Sequence, residues 1–188
     1  LFGSVLGWII ARRVKMTAMP QLVSFFNATG GIASALVALM EYPAASSTGI
    51  LIVTLLGLTI GSISFSGSMI AYGKLDGKIG DIRSPSMKYI NLALLLLVVG
   101  CLVYLSIQGI ADTSALIYGL FIISLVYGVF FVMPIGGADM PVVISLLNSF
   151  TGIAAAMAGF IYGNQAMILG GIFVGAAGSI LTILMCKA

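Results

Sequence analysis

The sequence contains no histidine, only five acidic residues in 188, and charged residues of both signs make up just 7% of it. Soluble domains carry about 25% charged residues. A chain that is 61% hydrophobic, with a mean hydropathy of +1.22, is therefore read as an integral membrane protein. The missing histidine removes the commonest proton carrier and metal ligand. Two cysteines, Cys101 and Cys186, both in apolar segments, point to neither a disulfide framework nor a metal site. No serine–histidine or cysteine–histidine pair is available for nucleophilic catalysis. "GKLDGKIG" lacks the spacing of a phosphate loop. The polar–apolar alternation of a membrane barrel is absent as well, which leaves helices, because lipid offers no partner to an unpaired backbone group. The net charge of +3 is no nucleic-acid signal in so apolar a chain; the basic residues orient it in the bilayer.

What is present is a series of apolar runs. Seven are expected as helices, at about 1–14, 18–40, 48–73, 87–108, 113–133, 138–162 and 165–186. They predict an all-α bundle of about seven transmembrane helices, a single transmembrane domain over 1–188 with no second globular domain. The run from Leu1 to Ile10 precedes Arg12, Arg13 and Lys15, the reverse of a signal peptide's order, and reads as the truncated end of a crossing helix. Alternating the connections puts all eight basic residues (Arg12, Arg13, Lys15, Lys74, Lys78, Arg83, Lys88, Lys187) on one side, and Glu41 and Asp112 on the other. By the positive-inside rule the basic side, with the carboxyl end, is cytoplasmic. The glycine pairs Gly3/Gly7, Gly57/Gly61 and Gly171/Gly175 are expected to let helices approach closely.

Two stretches repeat. "MPQLVSFFNATGGIASALVAL" (19–39) and "MPVVISLLNSFTGIAAAMAGF" (140–160) agree at Met, Pro, Ser, Asn, Gly, Ile and two Ala positions. By the alternation both run the same way, so this is a parallel internal repeat. Pro20 and Pro141 suit a first helical turn, where a missing N–H costs nothing. Asn27 and Asn148 then lie roughly 10 Å further along, near mid-membrane, with Ser24 and Ser145 one turn earlier on the same face. Thr29 continues the first stripe, and Ser149 and Thr151 the second. One reading is that each asparagine cross-links helices, for about 0.6–2 kcal/mol; the other is a hydrated path between the repeated helices.

Asp139, just before Met140–Pro141, is a candidate for the cap of the following helix, for a proton or gating role at the cytoplasmic mouth, or both. Asparagine does not titrate near neutrality, so the amides order water without carrying charge. Any moving proton would then need Asp139, Glu41, a tyrosine or a group on another chain. The segment 73–86 is the only extended hydrophilic stretch and carries Lys74, Asp76, Lys78 and Arg83. It is expected either to anchor the interface or to receive a soluble domain.

"MTAMPQLVSFFNATGG", "FSGSMIAYGKLDGKI", "GGADMPVVISLLNSFTGIAAAMAGF" and the closing "MCKA" closely resemble the membrane domain of the proton-translocating NAD(P) transhydrogenase beta subunit, over nearly the whole chain. The resemblance implies an enzyme that couples hydride transfer from NADH to NADP+ to inward proton movement. Hydride transfer would occur outside this chain, which would bind no cofactor itself. NADP(H) would bind in a soluble domain expected beyond the carboxyl end. The NAD(H)-binding domain and further membrane helices would belong to alpha-type subunits, in a dimeric complex of the bacterial inner membrane. Carried over by residue, Asn148 matches the family's asparagine in the proton path and Asp139 its acid near the cytoplasmic mouth. Asn27 stands where many members have a histidine regarded as the proton-handling group. With Ser24 and Ser145, these form the expected proton pathway. Lys74, Asp76, Lys78 and Arg83 form the expected domain-coupling loop. Rival readings are a secondary transporter using the asparagines as substrate ligands and a structural anchor of a larger complex.

Overall fold

The computed structural model describes residues 2–82, 84–109 and 114–187. Among these residues there are seven α-helices: α1 Phe2–Arg13, α2 Met19–Glu41, α3 Thr48–Leu75, α4 Met87–Gln108, α5 Ser114–Val132, α6 Met140–Tyr162 and α7 Gln165–Lys187. No strand occurs among the described residues. The last six helices are long and apolar enough to cross a bilayer. The 12 residues of α1 reach only about 18 Å, less than the ~30 Å hydrocarbon core. Arg83 and Asp112 lie outside the described residues.

Local chemistry sets the helix ends. Pro20 and Pro141 stand in the first turns of α2 and α6, and each of these helices follows a single 3-10 turn, Met16–Ala18 or Gly137–Asp139. Ser47, in an extended conformation, accepts the Ile50 N–H through its Oγ at 3.3 Å and caps α3. Asn164 Oδ1 accepts the N–H groups of Ala166 and Met167 and starts α7. Gly163 closes α6 at φ 63°, in the left-handed region where a side chain would be strained.

The long helix α3 forms the middle of the bundle and packs against α2, α4, α5 and α6. Gln21 Nε2 donates to the Leu75 carbonyl near one end of α2, while Ala38, near the other end, faces Gly57. Thus α2 and α3 are antiparallel. Ser64 meets Leu147 and Thr151, and Gly57 faces Met157, so α6 is antiparallel to α3 as well, and α2 and α6 run in the same direction. Gly30 lies against Thr151, the residue 121 positions later. The offset that aligns the repeat in sequence therefore aligns it in space, and the repeat is parallel as expected.

Two of the glycine pairs work as contacts. A Cβ on Gly61 would sit 2.7 Å from the Gly31 carbonyl oxygen, and one on Gly171 would sit 2.5 Å from the Ala156 nitrogen. Nothing lies within 4 Å of a Cβ on Gly3 or Gly7, so that pair makes no packing contact within the described chain.

Two apolar clusters flank the middle of α3. One gathers Ala35, Ala38, Leu55, Leu58, Leu105 and Leu120. The other gathers Ala71, Val132, Met140, Val143, Ile144 and Leu147. Ser62, Ser64, Ser66 and Ser68, all buried, fall between Leu58 and Ala71, and the candidate site forms there. The antiparallel alternation also collects Arg12, Arg13, Lys15, Lys74, Lys78, Lys88 and Lys187 at one end of the bundle, here called the basic end, with Glu41 at the other.

Candidate functional site

On α2, Ser24 and Asn27 are one turn apart and both turn toward α3. Ser24 Oγ donates to the main-chain oxygen of Ser68 at 2.8 Å, and Asn27 Nδ2 donates to Ser68 Oγ, also at 2.8 Å. Ser24 and Ser68 are fully buried and Asn27 is 5% exposed. The other amide atom, Asn27 Oδ1, is buried and has no hydrogen-bond partner among the described residues. An orphaned buried acceptor costs about 1–3 kcal/mol, so this atom calls for a donor from elsewhere.

One turn along α3, the stripe passes to α6. Ser64 Oγ donates to the Leu147 carbonyl at 2.9 Å and lies 2.5 Å from Thr151 Oγ1. The Thr151 hydroxyl also faces the Asn27 carbonyl at 3.4 Å. Ser24, Asn27, Ser64, Ser68 and Thr151 thus form one polar seam shared by three apolar helices. Thr29 stays out of it: it is exposed and bonds the Phe26 carbonyl of its own helix at 2.8 Å.

The second copy of the repeat distributes its polar groups differently. Ser145 donates to the Gly178 carbonyl at 3.1 Å, and Ser149 to the Gly175 carbonyl at 2.6 Å. Both face α7, so Ser145 is not brought together with Ser24 and Asn27. Asn148 is half-buried between Leu147, which packs on α3, and Ser149, which packs on α7. The polar ties of α6 run through Ser145, Ser149 and Thr151.

At the basic end, Asp139 occupies the N-cap position of α6, yet its side chain makes no capping hydrogen bond. It is exposed and lines a cleft of ≈ 460 Å³ with Ile135, Val142, Thr182 and Cys186 among others.

The expected coupling loop is partly folded away. Gly77, at φ 72°, ends α3 in a Schellman arrangement, with Lys78 N–H on the Gly73 carbonyl and Gly77 N–H on the Lys74 carbonyl. The Lys74 side chain is 1% exposed, so it offers no docking charge. Lys78 is open, with its Nζ 2.6 Å from Asp76 Oδ2; that hydrogen bond, with the carboxylate's charge, raises the Lys78 pKa above its ordinary 10.5.

The residue types singled out by the repeat miss two of the five seam residues. Ser64 and Ser68 come from α3, which is outside the repeat. Their signal was a serine at every second position from 62 to 68 in an otherwise apolar helix.

All 188 residues match the family model described as NAD(P) transhydrogenase beta subunit. The NAD(P) transhydrogenase subunit beta of Rhodospirillum rubrum is 42% identical over 195 residues. That match covers 98% of this chain and 42% of the relative. The same name, identity and coverage recur for a defined strain of that organism. The chain therefore spans less than half the length of the curated relatives it matches. With a polar seam set in a bundle of membrane-length helices and a match along its whole length, this chain belongs to the NAD(P) transhydrogenase beta subunit family.

Proposed function

We propose that this chain is the proton-conducting membrane part of an NAD(P) transhydrogenase, coupling inward proton translocation to hydride transfer from NADH to NADP+. One observation carries the reading: the carbonyl oxygen of the Asn27 side-chain amide is buried in the middle of the bundle with no partner among the described residues. A lone apolar anchor gains nothing from such an atom. A water molecule suits it, since buried waters make about three hydrogen bonds to otherwise unsatisfied groups. Ser68 Oγ accepts from Asn27 and keeps its own hydroxyl hydrogen for that water, and Thr151 Oγ1 supplies a further polar edge one turn away.

The path runs from the seam of Ser24, Asn27, Ser68 and Thr151 past Asn148 to Asp139 at the basic end, which is cytoplasmic. Ser145 contributes by fastening α6 to α7 at the depth of the path. The serine, threonine and asparagine side chains of the seam do not titrate near neutrality, and the sequence has no histidine. The proton-exchanging group in the membrane is therefore supplied by a partner chain, an alpha-type subunit whose helices complete the bundle. NAD(H) and NADP(H) are held by the associated soluble domains, and hydride transfer takes place there. The complex is a dimer in a bacterial inner membrane. Lys78 and Asp76, which remain exposed, form the surface read by the NADP(H) domain.

The test is reverse transhydrogenation by the reconstituted full complex with a pH-sensitive dye inside the vesicles. Wild type should change the internal pH in step with hydride transfer. Asn27→Leu should reduce the protons moved per hydride about tenfold, the kinetic equivalent of 1.4 kcal/mol. Wild-type hydride transfer without a pH change would remove the conduit. An unchanged proton ratio in Asn27→Leu with lowered stability would instead favour a purely structural amide.

A further inference from the structure

Lys74 is the one described basic residue drawn into the protein, and its surroundings are built for it. Its side chain is 1% exposed. An ammonium has three donors, and here all three are used: Asp81 Oδ1 at 2.9 Å, the Met133 carbonyl at 2.5 Å and the Ile135 carbonyl at 2.7 Å. Burying a charge is costly unless it is paired and fully hydrogen-bonded, and this one is both.

The three acceptors belong to two different connections. Asp81 lies in the segment that joins α3 to α4, whereas Met133 and Ile135 lie just past the end of α5, on the way to α6. Carbonyls at a helix carboxyl end carry the negative pole of the helix and favour a cation there. No basic residue stands in the last turn of α5 itself, so α3 supplies the cation. Beyond Ile135 the chain is short and tightly turned. Asp139 N–H bonds the Gly136 carbonyl at 3.0 Å, the 3-10 turn Gly137–Asp139 follows, and Met140, fully buried, begins α6. The position of Ile135 therefore sets where α6 starts.

We propose that Lys74 is a positioning residue that latches the α3–α4 connection onto the foot of α6. A push on the segment around Asp76 and Lys78 is passed through the ammonium to Ile135, then to Asp139, and along the rigid helix to Asn148 and Thr151. The latch fixes the mouth and the seam in one register. Its role in proton coupling rests on the function proposed above. The latch itself rests only on the geometry.

Two substitutions in the full reconstituted complex test it. Lys74→Met keeps the bulk of the side chain and removes the donors; Lys74→Arg keeps the charge and the donors. Amide hydrogen exchange should be followed over 133–140, together with protons moved per hydride. In Lys74→Met, exchange at Ile135 and Asp139 should rise about tenfold, as expected when charged hydrogen bonds to this turn are lost. The proton ratio should fall while hydride transfer persists, which shows that the complex is assembled. Lys74→Arg should lie nearer wild type in both readouts. Wild-type exchange in Lys74→Met, or equal acceleration in both variants, overturns the latch, because packing alone would then explain the site. Faster exchange with an unchanged proton ratio overturns its role in coupling. Should the wild type move no protons, the conduit fails, and the exchange comparison still decides the latch.

Discussion

Replacing Ser68 by alanine tests the seam at its centre. Ser68 Oγ is the acceptor for Asn27 Nδ2, while its main-chain oxygen takes the hydroxyl of Ser24. Alanine removes only the first of these bonds and shortens the side chain by one atom, so Ser24 keeps its partner. Asn27, at 5% exposure, would then have both ends of its amide unsatisfied, because Oδ1 already lacks a partner among the described residues. An unmet buried donor costs about 1–3 kcal/mol, and measured interhelical hydrogen bonds in membranes average nearer 0.6, reaching about 1.7. The expected loss is about 1–2 kcal/mol.

Ser62 supplies the control. It is as deeply buried as Ser68 and only one turn and a half away on α3, but its hydroxyl bonds the Leu58 carbonyl of its own helix at 2.5 Å. That bond adds nothing between helices, and such back-bonding is neutral or slightly destabilising, so Ser62→Ala should cost less than about 0.5 kcal/mol. Reversible unfolding in mixed micelles, followed by circular dichroism, separates the two. Ser68→Ala should unfold at clearly lower denaturant and should also reduce proton-coupled turnover, since Asn27 would lose its fixed orientation. Equal midpoints for Ser68→Ala and Ser62→Ala would refute the seam.

Two further outcomes follow from contacts elsewhere. Gly61→Val should prevent α2 from seating on α3, since a Cβ there would lie 2.7 Å from the Gly31 oxygen and 3.0 Å from the Ala35 nitrogen, both backbone atoms. Overpacking of this kind costs about 1–3 kcal/mol or more, whereas Gly3→Ala, with nothing within 4 Å, should leave the unfolding midpoint where it is. Asp76→Asn should return the Lys78 pKa toward 10.5, measured by nuclear magnetic resonance of the isotope-labelled ammonium, because Asp76 is the main cause of the increase. The folded value is the raised one, so the pair's stabilisation is fully present below about pH 10.5 and is lost as pH climbs through the higher folded value. With the Lys78 side chain 74% exposed, salt should erase most of that contribution.

The helix plan was legible because it depends on quantities local to each segment. Apolar run length, Pro20 and Pro141 at first turns, and glycines after α4 and α6 are all visible along the chain, and the expected segments differ from the observed helices by a few residues. The offset of the repeat also transfers directly to space, since two equal helices running the same way against a third keep their register. Side-chain partners were less legible. Lys74 sits in a hydrophilic stretch and reads as exposed. Its burial depends on the carbonyls of Met133 and Ile135, 59 and 61 positions away, which no pattern of residue types announces. The face chosen by Ser145 was equally hidden. It is decided by how closely Gly178 lets α7 approach α6, where a Cβ on that glycine would meet Ser149 at 3.0 Å.

The unequal treatment of the two copies has a physical consequence. Asn27 and Asn148 begin as equivalent residues on parallel helices in matching register, but their helices meet different neighbours. Helix α2 faces the Ser68 hydroxyl of α3 at the right depth, so the Asn27 amide is gripped at one end and left open at the other. Helix α6 is held on one side by Ser64 and on the other by the glycine-lined face of α7, and Asn148 lies between these fastenings, half-buried. A symmetric pair of bound amides would only staple helices. Here one amide is fixed with an open oxygen, and the second stands half-buried outside the serine and threonine ties of its helix. The connection that leads into α6 is held by Lys74 at the same end of the bundle. The duplicated helices therefore differ in their partners because α3 and α7 differ, and the surroundings of Asn148 are set by residues outside the repeat.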